Sequence, residues 1–165
     1  MKSKIAIAAA LLVTSSMAQA ATDSTTFTVS TNVTAACDVS ASALTFANVD
    51  PLANASANTD GTSTVTVTCS NTTAYDVGLS AGNGASATVS SRKMTHTDGS
   101  STLNYALYSN AGRSTNWGDT VGTDTVSGTG TGSAQTHTVY GRIPSGQQTA
   151  KVGAYSDTIT VTVTY

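Results

Sequence analysis

Two cysteines, two histidines and nine aspartates are the residues with which this 165-residue chain could do chemistry, and it contains no glutamate. Cys37 and Cys69 are 32 positions apart. In an oxidising compartment such a pair most simply forms one disulfide, a cross-link that stabilises by about 3–4 kcal/mol in the chain-entropy picture. A metal site or a reactive thiol would instead need His96 or His137 brought close by the fold, since neither is near a cysteine in sequence. General acid–base work would fall to those two histidines and the scattered aspartates. His96 sits beside the Asp98-Gly99 turn and His137 alternates with Val139, so both are expected to be polar surface residues. Gly128-Thr129-Gly130-Thr131-Gly132 lacks the Lys-Ser/Thr and the strand–helix frame of a phosphate loop, and is expected to be a flexible hairpin loop. No Gly-x-Ser-x-Gly occurs, and the aspartates near residues 98 and 118–124 have no closing Glu for a calcium loop. Arg142 is a candidate for a surface ion pair with an aspartate such as Asp157. The expectation is no catalysis, no cofactor and no metal.

The elements that would carry these residues begin with an export signal. Met1-Lys2-Ser3-Lys4 is a short positive start, residues 5–13 are apolar, and Ala18-Gln19-Ala20 has the small residues of a signal-peptidase site. Cleavage before Ala21 is expected, since the apolar run is too short to span about 30 Å of hydrocarbon. The remaining 145 residues suit one domain. They contain 31 Thr and 19 Ser, a strand-and-turn composition that excludes a helical bundle, a coiled coil or a doubly wound α/β fold. Loss of Lys2 and Lys4 leaves nine acidic against five basic residues. No basic cluster remains, so nucleic acid is not an expected partner.

Period-two alternation recurs along the chain. Phe27, Val29, Thr31 and Val33 share one face of a strand; Leu44 and Phe46 mark a short one at 43–47. Others carry Val65, Val67 and Cys69; then Tyr75, Val77 and Leu79. Residues 94–97 and 103–107 flank Asp98-Gly99 as a hairpin. Trp117 and residues 118–133 are expected to be rich in loop, with a weak strand near Val121, followed by strands at 139–143 and 155–165. About eight short strands imply an antiparallel sandwich or barrel. The last strand ends flush with Tyr165, whereas residues 21–33 form an alternating strand with no turn to fold it back. That pattern fits an ordinary edge or central strand at the C-terminus, or, as the sharper reading, a sandwich one strand short with a spare strand at its other terminus.

Four motifs follow in order: Leu103-Asn104-Tyr105-Ala106-Leu107-Tyr108, Asn116-Trp117-Gly118-Asp119, Val139-Tyr140-Gly141-Arg142-Ile143-Pro144-Ser145-Gly146-Gln147, and Gly153-Ala154-Tyr155-Ser156-Asp157 running on to Tyr165. With Val65-Thr66-Val67-Thr68-Cys69 before them, the chain resembles the spore coat protein U domain family, which includes subunits of archaic chaperone–usher pili. The resemblance implies an incomplete immunoglobulin-like β-sandwich lacking its last strand, with an N-terminal donor strand. It divides the chain into a signal peptide (1–20), a donor extension (21–34) and a pilin domain (35–165). It implies a structural pilus subunit, secreted through the periplasm, for adhesion and biofilm formation. Its partners would be a periplasmic chaperone, an outer-membrane usher and neighbouring subunits. Phe27, Val29, Thr31 and Val33 match the donor positions, with Thr31 where a larger apolar side chain is usual, and Cys37–Cys69 matches the family disulfide. A coat or matrix protein of the same family that forms no pili is the alternative.

Overall fold

A computed structural model describes residues 19–165. The expected export signal lies outside them, apart from Gln19 and Ala20. Residues 19–32 carry no strand or helix and are exposed throughout. Residues Val33–Tyr165 form a compact unit.

Among the described residues that unit has nine strands and one short 3-10 turn at Ala53–Ala55. The strands are β1 (Cys37–Ala41), β2 (Thr59–Cys69), β3 (Ala74–Leu79), β4 (Arg92–His96), β5 (Thr102–Tyr108), β6 (Val126–Thr129), β7 (Gln135–Ile143), β8 (Tyr155–Ser156) and β9 (Val161–Thr164). Every pairing is antiparallel. One sheet has the order β1-β2-β7-β5-β4-β8 and the other β6-β3-β9. The chain is therefore all-β, an immunoglobulin-like sandwich of two unequal sheets.

Alternation explains the core. Val65, Val67 and Cys69 of β2, Tyr75, Val77 and Leu79 of β3, and Leu103, Tyr105 and Leu107 of β5 are all buried, while their neighbours face outward more often than not. Trp117, expected in a loop-rich stretch, is fully buried at the centre. Its indole Nε1 donates to Val77 O at 2.8 Å, and its backbone N–H donates to Leu107 O at 3.0 Å. A buried indole needs such an acceptor.

Besides residues 27–33, which form no strand, and residues 43–47, three expected elements differ. Residues 126–129, assigned to a loop, form β6, because Ser127 and Val126 pair with Asp76 and Val77. No strand forms at Val121. The expected terminal strand 155–165 is two strands in different sheets, β8 beside β4 and β9 beside β3. Asp157 makes the break: its Oδ1 accepts the N–H groups of Asn83 (2.7 Å) and Thr158 (2.8 Å), and its Oδ2 accepts the Tyr105 hydroxyl at 2.7 Å. A side chain that captures backbone donors in this way ends a ladder.

Candidate functional site

The two sheets leave one side of the sandwich open. β1 is paired only with β2, and β9 only with β3, so each keeps a strand edge without a ladder partner among the described residues. Residues 41–49 form one wall of a groove of about 890 Å³, and residues 150–159 with Val161 form the other. Val65, Leu79, Leu103, Leu107, Val139 and Ile143 are on its floor.

Both walls keep the side-chain rhythm of a strand. Leu44 and Phe46 are half-buried between exposed Ala43, Thr45 and Ala47. Opposite, Asp157, Ile159, Val161 and Val163 are half-buried between exposed threonines 158, 160, 162 and 164. Residues 43–47 are thus not the strand that alternation led us to expect. The alternation is present but a hydrogen-bonded neighbour is not. The wall is tied to β2 only at its start, by Ser42 N–H to Thr64 O (2.9 Å) and by the Ser63 hydroxyl to Ser42 O (2.6 Å) and Ala43 O (3.1 Å). Unpaired edges over an apolar floor make a template for one more strand.

The groove is braced by polar groups inside the sandwich. The Tyr105–Asp157 hydrogen bond links the floor to the second wall; burial first, and then this bond, pushes the tyrosine pKa well above its ordinary value. Arg92 is fully buried. Its guanidinium donates to Ser80 O (2.8 Å), Val89 O (2.6 Å), Leu79 O (2.8 Å) and Trp117 O (2.7 Å). Loss of hydration pulls its pKa below the ordinary value, against the opposing influence of Tyr105, Asp119, Asp157 and Asp124. Four carbonyls satisfy a buried cation with no carboxylate touching it, and hold the end of β3 against the Trp117 segment.

Cys37 and Cys69 form a disulfide and face each other across β1 and β2. Phe27, Val29 and Val33 are 87%, 83% and 91% exposed, and Thr31 is exposed as well. The histidines are not the polar surface residues expected. His96 is 7% exposed, accepts the Asp98 N–H at Nδ1 (3.0 Å) and lies against the Tyr155 ring. His137 is half-buried on the core face of β7, hydrogen-bonded to the Tyr75 hydroxyl at 3.0 Å, and burial lowers its pKa. It shares that face with Val139 because the two are separated by one residue, a signal present in the sequence. The glycine tract is anchored rather than free: Gly130 N–H donates to Thr73 O (2.7 Å) and Gly132 N–H to Cys69 O (3.0 Å). Arg142 pairs with Asp60 rather than Asp157, as its Nε and Nη2 reach the two carboxylate oxygens at 2.7 and 2.9 Å. Asp60 is the residue opposite Arg142 in the β2–β7 register. Asp98 caps its own turn by accepting from Ser100 and Ser101 and pairs with Lys151 at 2.9 Å. Among the described residues no three His, Cys or Asp side chains gather as a metal site. In the sequence Trp117 stands out only as part of the motif at 116–119 and not as core, and Arg92 has no signal beyond its type.

Fold and groove together define a class: a disulfide-bonded β-sandwich with room for a further strand between two free edges. The model of the Spore Coat Protein U domain matches residues 23–162, and the chain belongs to that family. Among solved structures it is similar to a chain in the crystal structure of the CsuC–CsuE chaperone–tip adhesion subunit pre-assembly complex from archaic chaperone–usher Csu pili of Acinetobacter baumannii. The TM-score is 0.58 at 22% identity, over 81% of this chain and 40% of that one. This chain therefore spans less than half the length of that relative. No curated protein matches it.

Proposed function

We propose that this chain is an exported structural subunit that polymerises by donor-strand exchange into a surface pilus serving adhesion and biofilm formation. Residues 1–20 are the signal, 21–34 the donor extension and 35–165 the acceptor domain. The observation that carries the reading is the groove, with strand-like walls over an apolar floor beside β1 and β9, each of which keeps an edge without a ladder partner among the described residues. Phe27, Val29 and Val33 supply the exposed apolar side chains that such a groove takes, and Thr31 the small fourth. Burying three of them contributes roughly 5–9 kcal/mol. Backbone pairing along both walls then satisfies groups that would otherwise be costly to bury. Release requires the acceptor core to open, so the joint persists kinetically. A periplasmic chaperone occupies the groove first, and a neighbouring subunit replaces it at an outer-membrane usher. The family membership and the pilus origin of the similar structure support this reading.

A variant lacking residues 21–33 tests it. Expressed with its chaperone, it is expected to fold and to bind a peptide of residues 24–34, yet to give no heat-dissociable ladder on an unboiled denaturing gel. A ladder from that variant would sink the proposal.

A further inference from the structure

The first groove wall rests on a gap in the sheet. Gly61 and Gly141 are directly opposite each other in the β2–β7 register, on the inward face. Both have ordinary backbone dihedrals, since neither is among the glycines with positive φ. Glycine is needed there for space. A Cβ on Gly141 would lie 2.8 Å from Phe46 Cζ and 2.9 Å from Leu44 Cδ1. A Cβ on Gly61 would lie 3.1 Å from Phe46 Cδ1 and 3.3 Å from Leu44 Cδ2. The two glycines therefore form a notch that seats the inward side chains of the wall.

From the outer side Arg113 holds the same pair, its Nε donating to Gly141 O at 3.0 Å and its Nη2 to Gly61 O at 3.5 Å. From the inner side Phe46 meets the Tyr105 ring edge-on at 6.3 Å, and the Tyr105 hydroxyl reaches Asp157 in the opposite wall. A contact chain thus runs from the notch through Phe46 and Tyr105 to the far side of the groove.

We infer that the Gly61–Gly141 pair is a positioning notch that sets the width of the groove and so governs how readily a donor strand from a second copy enters. The inference rests on the donor-strand reading. A methyl at Gly141 must displace Phe46 and Leu44, and because both are half-buried on the groove wall, the room open to them is the space the incoming strand would occupy.

The test follows ladder formation by the full chain over time, with a labelled peptide of residues 24–34 as a second probe of the groove. Gly141→Ala is expected to slow both polymer growth and peptide uptake by about tenfold, equivalent to about 1.4 kcal/mol in the barrier. Phe46→Leu on that background is expected to restore both to within about threefold of the parent, because the shorter side chain frees the space the methyl fills. Because overpacking also lowers stability and Phe46→Leu would relieve that too, equilibrium denaturation of each variant is measured alongside, and the slowing of uptake is expected to exceed what any stability loss accounts for. Gly61→Ala, with looser contacts, is expected to slow uptake by about threefold, and it serves as the test if Gly141→Ala does not fold. Uptake by Gly141→Ala at the parental rate, or no rescue by Phe46→Leu, overturns the notch and leaves the donor-strand reading intact. A parent chain that neither polymerises nor takes the peptide overturns that reading, and the notch with it.

Discussion

Arg92 makes the sharpest demand on the sandwich. Replacing it with Met keeps an unbranched apolar stem but removes every donor from the carbonyls of Leu79, Ser80, Val89 and Trp117. The bonds to Leu79 and Trp117 are wholly buried. Stripping a buried acceptor of its donor costs about 1–3 kcal/mol, so those two alone put roughly 2–6 kcal/mol at stake. Relief from burying a cation offsets part of this, and a net loss of about 3–4 kcal/mol is expected. At a typical urea dependence near 2 kcal/mol per molar, the midpoint falls by about 1.5–2 M. Trp117 is the only tryptophan and is fully buried, so its fluorescence reports the transition directly. Arg92→Lys is expected to fall between the two, because a single ammonium presents three donors from one point rather than a planar fork. A loss below about 1 kcal/mol for Arg92→Met would refute the view that carbonyl satisfaction, rather than packing of the stem, is what this residue supplies.

Three further outcomes are expected. Cys37→Ala with Cys69→Ala lowers unfolding free energy by about 3–4 kcal/mol, and a reductant should destabilise the parent equally in the same denaturation assay and leave the variant unmoved. Tyr105→Phe costs about 1–2 kcal/mol at neutral pH by removing the bond to Asp157. Because the folded-state pKa of Tyr105 is raised, the parent loses stability as pH rises above the ordinary tyrosine value near 10, and the variant loses less of it in an alkaline melting series. The hydrogen bond from Arg142 holds the Asp60 pKa below its ordinary value of 3.8, with Arg113 adding to the effect. The stabilisation is therefore present above that value and fades as pH falls through the lowered one, so Asp60→Asn and the parent should converge in acid melts.

Alternation made the paired strands legible, since Val65, Tyr75, Leu103 and Val139 sit on inward faces that the period of two assigns. It failed where a strand's character depends on something outside the local pattern. Cys37–Ala41 offers a single valine, and becomes β1 because it lies along β2 next to the disulfide. Residues 43–47 have the pattern without a neighbour to pair with. Val126–Thr129 is strand within a Gly-Thr-rich tract because β3 presents an edge to it. The groove itself follows from sheet order, which depends on non-local pairing and is invisible to periodicity. Polar residues were least legible: His96 and His137 read as surface residues and Arg92 carried no signal, yet each is placed inward, at a turn N–H, a tyrosine hydroxyl or carbonyls.

The position of the disulfide has a mechanical consequence. Cys37 begins β1 only four residues after Val33, so any tension drawn through the extension enters the domain at this point. The force meets a covalent link to the last residue of β2 before it can peel the β1 ladder one hydrogen bond at a time. From there it spreads along β2, which is matched to β7 from Thr59 to Val67. In a fibre whose joints are single strands, load entering through the extension would reach the larger sheet by way of the disulfide, sparing the β1 ladder, before it passes to the strand held in the subunit's own groove.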